Sequence, residues 1–318
     1  MAERGRFPPN PNSSPRPYES HSQKKQIPGA GVLFSLGGQL LRQRAEEGVS
    51  RANQSRPAEE TGPAISPWLL RWFIAYSRRY LRRHFHSLRV ARDGFPPPDT
   101  ARALVLYGNH SSWWDPLVGL VLKAEFFGGR NAFAPMDAAA LQKYKLFRKL
   151  GFFGVERSTR RGAAQFLRTA KNLLRAPDTL LLITPQGRFA DVRERPVRFE
   201  AGLGHLAARA EGAVFLPMAT ELIFWEERLP EILVRFGEPV TIGAADAASR
   251  DAAGWTALFE QKLAATQDAL TLQVQRRDPA EFQTLLRGGA GQGGFYDWWR
   301  SIQARLRGQS FQKEHGAQ

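Results

Sequence analysis

Short apolar runs and helical apolar periodicities alternate along the chain from about residue 100 onward. Five runs are typical of buried strands: 103–107, 150–155, 179–184, 213–218 and 232–236. Apolar residues recur at helical spacing between residues 160 and 175, and a last long helix is predicted over 255–274. Strands that alternate with helices predict an α/β layered domain with a largely parallel sheet, which we place at residues 95–276.

Residues 66–90 have a different pattern, that of one amphipathic helix. Ser66 and Pro67 are typical of a helix cap and first helical position. At 100° per residue, the apolar and aromatic positions fall within an arc of about 140°: Trp68, Leu69, Trp72, Phe73, Tyr76 and Tyr80. Arginines lie on the opposite side, and the segment has no acidic residue: Arg71, Arg78, Arg82 and Arg89.

Two interpretations of this helix stay open. An amphipathic helix usually packs on its own domain, whereas arginines opposite tryptophans also suit a helix that lies on an anionic membrane. The second interpretation predicts that the helix contacts lipid through Trp68, Trp72, Phe73, Arg78 and Arg82. No run of 18 apolar residues occurs, so we do not expect a membrane-spanning helix.

The two ends of the chain have compositions that differ from the predicted domain. Residues 1–62 are rich in Pro, Ser, Gln and Arg and are predicted to be mostly disordered. Residues 277–318 are predicted to form a C-terminal extension, with a glycine-rich loop and a short docking helix.

Charge narrows the classes of partner. The formal net charge of +15 and a pI near 10.7 predict a polyanionic partner, which is nucleic acid, anionic lipid or a phosphorylated substrate. No nucleic-acid motif occurs, and many arginines share one helix with aromatic residues, so we expect a membrane surface and no nucleic acid. The absence of cysteine excludes disulfides, thiolate metal sites and cysteine nucleophiles.

One of the six histidines has surroundings that favour catalysis. His110 follows the apolar run 103–107, and α/β domains place their sites at the carboxyl ends of such strands. Asp115 follows five residues later, which on a regular helix is about 140° away. The two side chains meet if His110 lies on the turn and Asp115 opens the next helix. The carboxylate would then orient the imidazole, whose other nitrogen takes a proton from a hydroxyl.

The string NHSSWWD at 109–115 resembles the N-H-x-x-x-x-D motif of the glycerolipid acyltransferase family, typified by bacterial lysophosphatidic acid acyltransferase. Three further strings resemble the later blocks of that family in the same order. They are GVER at 154–157, TPQGR at 184–188 and VFLPMA at 214–219.

This resemblance implies transfer of an acyl group from acyl-CoA or acyl carrier protein to a lipid hydroxyl, without metal or cofactor. It also implies a membrane-associated protein at the cytoplasmic face. His110 would be the general base and Asp115 its orienting carboxylate. Arg157 would bind an anionic group, and Gly187 would permit close backbone approach. The matched blocks add Asn109, Gln186 and Arg188 as predicted substrate contacts.

The chain departs from the family pattern in the third block. Gln186 replaces a glutamate, and Phe189 stands where the family has an arginine. Arg188 is adjacent, although in an extended loop it would project to the opposite side. The resemblance makes lysophosphatidic acid the default acceptor, and these departures make a glycolipid such as a carotenoid glycoside the alternative. A catalytically silent lipid-binding relative is a third hypothesis, disfavoured because His110 and Asp115 are both present.

Overall fold

The computed structural model describes residues 62–94, 96, 101–157, 159–243 and 249–290. The predicted disordered segment, apart from residue 62, and the predicted docking helix lie outside these residues. The first described helix, α1, begins at Pro67 with Ser66 as its N-terminal cap, as the sequence predicts.

Helices and strands alternate through most of the described chain. The helices are α1 (Pro67–His84), α2 (Asp115–Phe126), α3 (Ala138–Lys143), α4 (Arg160–Leu173), α5 (Gly202–Ala207) and α6 (Ala252–Arg276). The strands are β1 (Ser87–Ala91), β2 (Leu104–Gly108), β3 (Asn131–Asp137), β4 (Phe152–Val155), β5 (Thr179–Ile183), β6 (Val214–Ile223), β7 (Glu231–Phe236), β8 (Val240–Thr241) and β9 (Phe282–Arg287).

The strands form one sheet in the order β4-β3-β5-β2-β6-β7-β1-β9, and β8 pairs with β6. The pairs β4–β3, β3–β5, β5–β2, β2–β6 and β7–β1 are parallel, whereas β6–β7, β6–β8 and β1–β9 are antiparallel. The predicted α/β class with a largely parallel sheet is confirmed.

The core lies on both faces of this sheet. Alternate residues of a strand point to opposite faces, so Leu104 and Leu106 of β2 pack with residues of α1 and α2. Val105 and Tyr107 of the same strand pack with residues of α4, α5 and α6. Apolar side chains therefore fill the space between the sheet and a helical layer on either side, which holds the carboxyl ends of β2, β5 and β6 in fixed register.

The amphipathic helix is shorter than predicted. It ends at His84, and the next residues form β1, which pairs with β7 and β9. Arg89, predicted on the polar helix face, is instead buried in β1, where its Nε donates to Glu231 at 2.6 Å. The backbone leaves the helix because Ser87–Ala91 gain ladder hydrogen bonds from two strands that are remote in sequence.

The sheet also extends beyond the predicted domain limits of 95 and 276. β1 precedes that range, and β9 lies within the segment predicted as a C-terminal extension. None of the described helices is long and apolar enough to span a membrane.

Candidate active site

The candidate site lies where parallel strands end side by side. β2 pairs with β5 on one side, with Tyr107 opposite Ile183, and with β6 on the other, with Gly108 opposite Met218. His110 follows β2 by two residues, and the 184–188 loop follows β5. The topology therefore brings the first and third sequence blocks together, as expected for the carboxyl edge of a parallel sheet.

His110 and Asp115 are in direct contact. The His110 Nδ1 lies 2.7 Å from the Asp115 Oδ2, because Asp115 is the first residue of α2 and reaches back across the turn. An ionised carboxylate only accepts hydrogen bonds, so Nδ1 carries the hydrogen and Nε2 is the nitrogen left for a substrate hydroxyl. Both side chains are partly exposed.

Ser112 fixes the carboxylate that orients the imidazole. Its hydroxyl donates to the Asp115 Oδ1 at 2.8 Å, and its backbone N–H donates to the Oδ2 at 3.1 Å. Asp115 also stands at the start of a helix, where a negative charge is favourable. The sequence reasoning missed Ser112, although its position three residues before Asp115 is a known local hydrogen-bonding spacing at helix starts.

The backbone of His110 is held on both sides. Its N–H donates to the Gln186 Oε1 at 3.0 Å, and its carbonyl accepts the N–H of Ala190 at 2.9 Å. Gln186 is buried. The ring of Phe189 packs against the imidazole, with centroids 4.4 Å apart. The 184–190 loop thus fixes the position of His110, and Gln186 contributes to this through the backbone of His110, while its substrate contact stays a prediction.

Asn109 also holds the turn that carries His110 in position. Its Nδ2 donates to the Thr220 carbonyl at 2.9 Å, and its Oδ1 accepts the Thr220 N–H at 2.8 Å. The side chain therefore continues the β2–β6 ladder beyond the last paired residue, Gly108. Asn109 is buried and both of its polar side-chain atoms contact the Thr220 backbone, while its substrate contact stays a prediction.

Of the remaining predicted contact residues, Arg157 and Gly187 contact each other in the 184–190 loop region, whereas Arg188 is exposed to solvent. Arg157, which follows β4, donates to the carbonyl of Gly187. Gly187 has φ +65°, and a Cβ there would lie 3.1 Å from Glu200 Cγ, so glycine is favoured on both counts. Arg188 is exposed and forms an ion pair with Glu194. The structure brings Arg157 to the third block, and it holds Arg188 in a separate ion pair.

The predicted lipid-contacting residues of α1 have unequal surroundings. Trp68 and Trp72 are 63% and 44% exposed, and Arg82 is exposed. Phe73 is half-buried, with its ring centroid 6.2 Å from that of Phe147. Arg78 pairs with Glu125 of α2 at 3.2 Å, so part of its charge is already compensated.

An aromatic row connects α1 with the first sequence block. The rings of Trp72 and Tyr76 stack at 5.8 Å, and those of Tyr76 and Tyr80 stack at 5.6 Å. Tyr80 then lies 5.5 Å from Trp114, which in turn is 4.3 Å from Trp113. Trp113 is 51% exposed, so the row ends at the surface within the same turn that carries His110.

Comparison with known families identifies the segment that contains this geometry. Residues 83–221 match the family model described as Acyltransferase. This segment is an acyltransferase domain. The match includes all four sequence blocks, so the predicted acyltransferase resemblance and enzyme class are confirmed. It begins within α1 and ends in β6, and the acyltransferase domain therefore contains the His110–Asp115 pair and the loop that holds it.

Among solved structures, the chain is similar to the crystal structure of the 1-acyl-sn-glycerophosphate (LPA) acyltransferase PlsC from Thermotoga maritima. The two share 14% sequence identity with a TM-score of 0.46, over 78% of this chain and 92% of that one. The activity in that title is that of the Thermotoga protein. No functionally curated protein matches the chain significantly.

Proposed function

We propose that the protein is a membrane-associated O-acyltransferase that moves a fatty acyl group from acyl-CoA or acyl carrier protein to a lipid hydroxyl. The observation that carries this proposal is the 2.7 Å contact between His110 and Asp115 within an acyltransferase domain. The contact leaves Nε2 of a fixed imidazole for the acceptor, which is the arrangement that general-base catalysis needs.

The reaction requires one proton transfer in each direction. The His110 Nε2 takes the proton of the acceptor hydroxyl as its oxygen attacks the thioester carbonyl carbon. The tetrahedral intermediate then collapses, the carbon–sulfur bond breaks, and the departing thiolate takes the proton from the imidazolium. The products are a carboxylic ester and a free thiol. Asp115 stabilises the imidazolium between these two transfers.

Exposed residues of α1 support the membrane part of the proposal. Leu69, Ser77 and Leu81 bury one side of the helix against the domain, while Trp68 and Trp72 stay exposed. A further group of charges is also exposed and has no acidic neighbour on the helix: Arg71, Arg79, Arg82 and Arg83. Tryptophans at a membrane interface and arginines near anionic head groups both favour surface binding. The anionic cytoplasmic leaflet is the surface that this charge fits best.

The test is an acyl-transfer assay with the purified full chain on anionic vesicles. Labelled acyl-CoA and acyl carrier protein thioester are offered in parallel, each with lysophosphatidic acid, a monoacylglycerol and a glycosyl lipid. We expect ester formation with at least one acceptor, and its loss in His110→Ala. Vesicle binding without ester formation from any pair would contradict the proposal and favour the catalytically silent relative.

A further inference from the structure

An open cleft lies beside the catalytic pair. Its volume is about 610 Å³, and its walls include Ser111, Phe189 and Glu221. Ser111 is the residue after His110, and the Phe189 ring packs on the His110 imidazole. A molecule in this cleft would therefore border the group that we propose as the general base. We call this space the acceptor cleft.

Glu221 enters the acceptor cleft from β6, one residue beyond the Thr220 backbone that holds Asn109. Thr220 is buried, whereas Glu221 is half-buried and lines the cleft. The position of the carboxyl is thus set by the same β2–β6 ladder that sets the turn carrying His110. The sheet therefore fixes the backbone position of Glu221 relative to the start of the turn that carries His110.

The Glu221 carboxyl has unused hydrogen-bonding capacity. The Thr271 hydroxyl of α6 donates to it at 3.3 Å, and no ion pair to it exists among the described residues. An ionised carboxylate has about four acceptor positions. Burial raises the pKa of this carboxyl, while the Thr271 hydrogen bond and the positive charge of Arg193 oppose the rise. The carboxyl is therefore partly desolvated, and the Thr271 hydrogen bond leaves further acceptor positions for a ligand.

The charges around the acceptor cleft disfavour a phosphate. Its walls carry two carboxylates, Asp191 and Glu221, against one guanidinium, Arg193. That guanidinium is already occupied, because its Nε and one terminal nitrogen donate to the two oxygens of Asp191 at 2.9 and 2.7 Å. The walls therefore carry more carboxylates than guanidinium groups, which disfavours an anionic head group, whereas neutral hydroxyls would find an acceptor.

We propose that the acceptor cleft binds the head group of a neutral, polyhydroxylated lipid, such as a glycoside, and that Glu221 accepts hydrogen bonds from its neighbouring hydroxyls. The exposed ring of Phe189 supplies an apolar face on which a sugar ring packs. The inference rests on the proposed function, since it names the acceptor class of the same site.

Equilibrium binding tests the inference without an acyl donor. Octyl glucoside, octyl galactoside and octyl mannoside are titrated below their micelle concentrations against the full chain, with octyl phosphate as the anionic probe of equal tail length. We expect at least one glycoside to bind more tightly than octyl phosphate. Glu221→Gln keeps the shape but loses the charge-assisted acceptor, and it should weaken glycoside binding roughly tenfold. Glu226→Gln, an exposed change outside the cleft, is the matched control.

A second variant keeps the test decisive if Glu221→Gln does not fold. Val192→Trp narrows the cleft from its loop wall at a half-buried position, and should abolish glycoside binding with an unchanged melting temperature. Equal glycoside affinity in the wild type, Glu221→Gln and Val192→Trp would overturn the inference, as would tighter binding of octyl phosphate to the wild type. Glycoside binding that persists in a protein without acyl transfer would instead contradict the proposed function alone.

Discussion

The backbone N–H of His110 donates to the side-chain oxygen of Gln186 at 3.0 Å, across the carboxyl ends of β2 and β5. The family glutamate at this position and the amide found here both present an sp² oxygen to that N–H. The departure at residue 186 therefore preserves the contact that holds the catalytic turn, and it does not by itself indicate a silent relative.

The first prediction concerns this contact. Gln186→Glu keeps an acceptor for the His110 N–H, so we expect kcat within about threefold of wild type. Gln186→Leu leaves this partly buried N–H without its acceptor, which costs about 1 kcal/mol of stability. We expect a lower melting temperature and a kcat reduced by about tenfold or more. Equal kcat values for the leucine and glutamate variants, measured by initial rates, would show that the contact does not position His110.

The second prediction concerns the proposed general base. His110→Ala should lower the acyl-transfer rate by about two to four orders of magnitude, because proton removal from the hydroxyl is lost. The residue is partly exposed, so we expect an unchanged melting temperature and near-ultraviolet dichroism. A rate within threefold of wild type would exclude the mechanism.

The third prediction compares the loss of the orienting carboxylate of Asp115 with the loss of the Ser112 hydroxyl that contacts it. Asp115→Asn should be impaired by about 100-fold or more, because the imidazole loses the charge that fixes its tautomer. Ser112→Ala removes the hydroxyl contact but keeps the backbone donor at 3.1 Å, so we expect a loss of about tenfold or less. A serine variant as impaired as Asp115→Asn, in the same initial-rate assay, would contradict this order.

Sequence patterns predicted strands β2, β4, β5, β6 and β7 and a largely parallel sheet, but not the limits of α1 or of the sheet. Helical periodicity continues through Arg89, and only its partner Glu231, 142 residues away, shows that this arginine belongs in a buried strand. The same holds for β9, a short strand near the end of the described residues that pairs with β1, near their beginning. Contacts between residues so far apart in sequence produce no local periodicity, so the pattern of apolar positions does not predict them.

The candidate site was likewise predictable in part. The His110–Asp115 contact follows from local geometry at a strand-to-helix turn. In contrast, the family pattern indicates which residues lie near the site and not which of their atoms face substrate. Asn109 directs both polar side-chain atoms, and Gln186 its Oε1, to backbone groups, and the register of β2 against β5 and β6 determines this. The acceptor cleft depends on Glu221, which no matched block marks.

The fourth prediction concerns the membrane. Arg82 and Arg83 are exposed at the end of α1, whereas Arg78 is paired with Glu125. Each basic residue near an anionic surface contributes about 1 kcal/mol, so replacing both with glutamate should weaken vesicle binding at least about tenfold. Arg168→Glu with Arg209→Glu makes the same change in net charge on exposed positions outside α1. Sedimentation with anionic vesicles over a range of salt gives the affinities, and an equal loss in both double variants would contradict a specific role of α1.

The last prediction concerns Phe189, which stands where the family has an arginine. The structure places Arg157 on the Gly187 carbonyl, two residues away, so an arginine at 189 would add a second positive charge to the same loop. A phosphate gains charge-assisted hydrogen bonds from such a pair, whereas a neutral head group gains little. Phe189 is exposed, which leaves room for the longer side chain. We therefore expect Phe189→Arg to raise the ratio of kcat/KM for lysophosphatidic acid over a glycosyl lipid by about tenfold.

Two further variants decide how that ratio is interpreted. Phe189→Leu removes the ring from His110 without adding charge, so the ratio in Phe189→Arg must be compared with it and not with wild type alone. Arg188 is already engaged by Glu194, and Arg188→Ala should leave the turnover of lysophosphatidic acid unchanged within about twofold. If Arg188→Ala abolishes that turnover, Arg188 performs the function of the family arginine that Phe189 replaces, one residue earlier in the chain. The phenylalanine would then pack on His110 without selecting the acceptor.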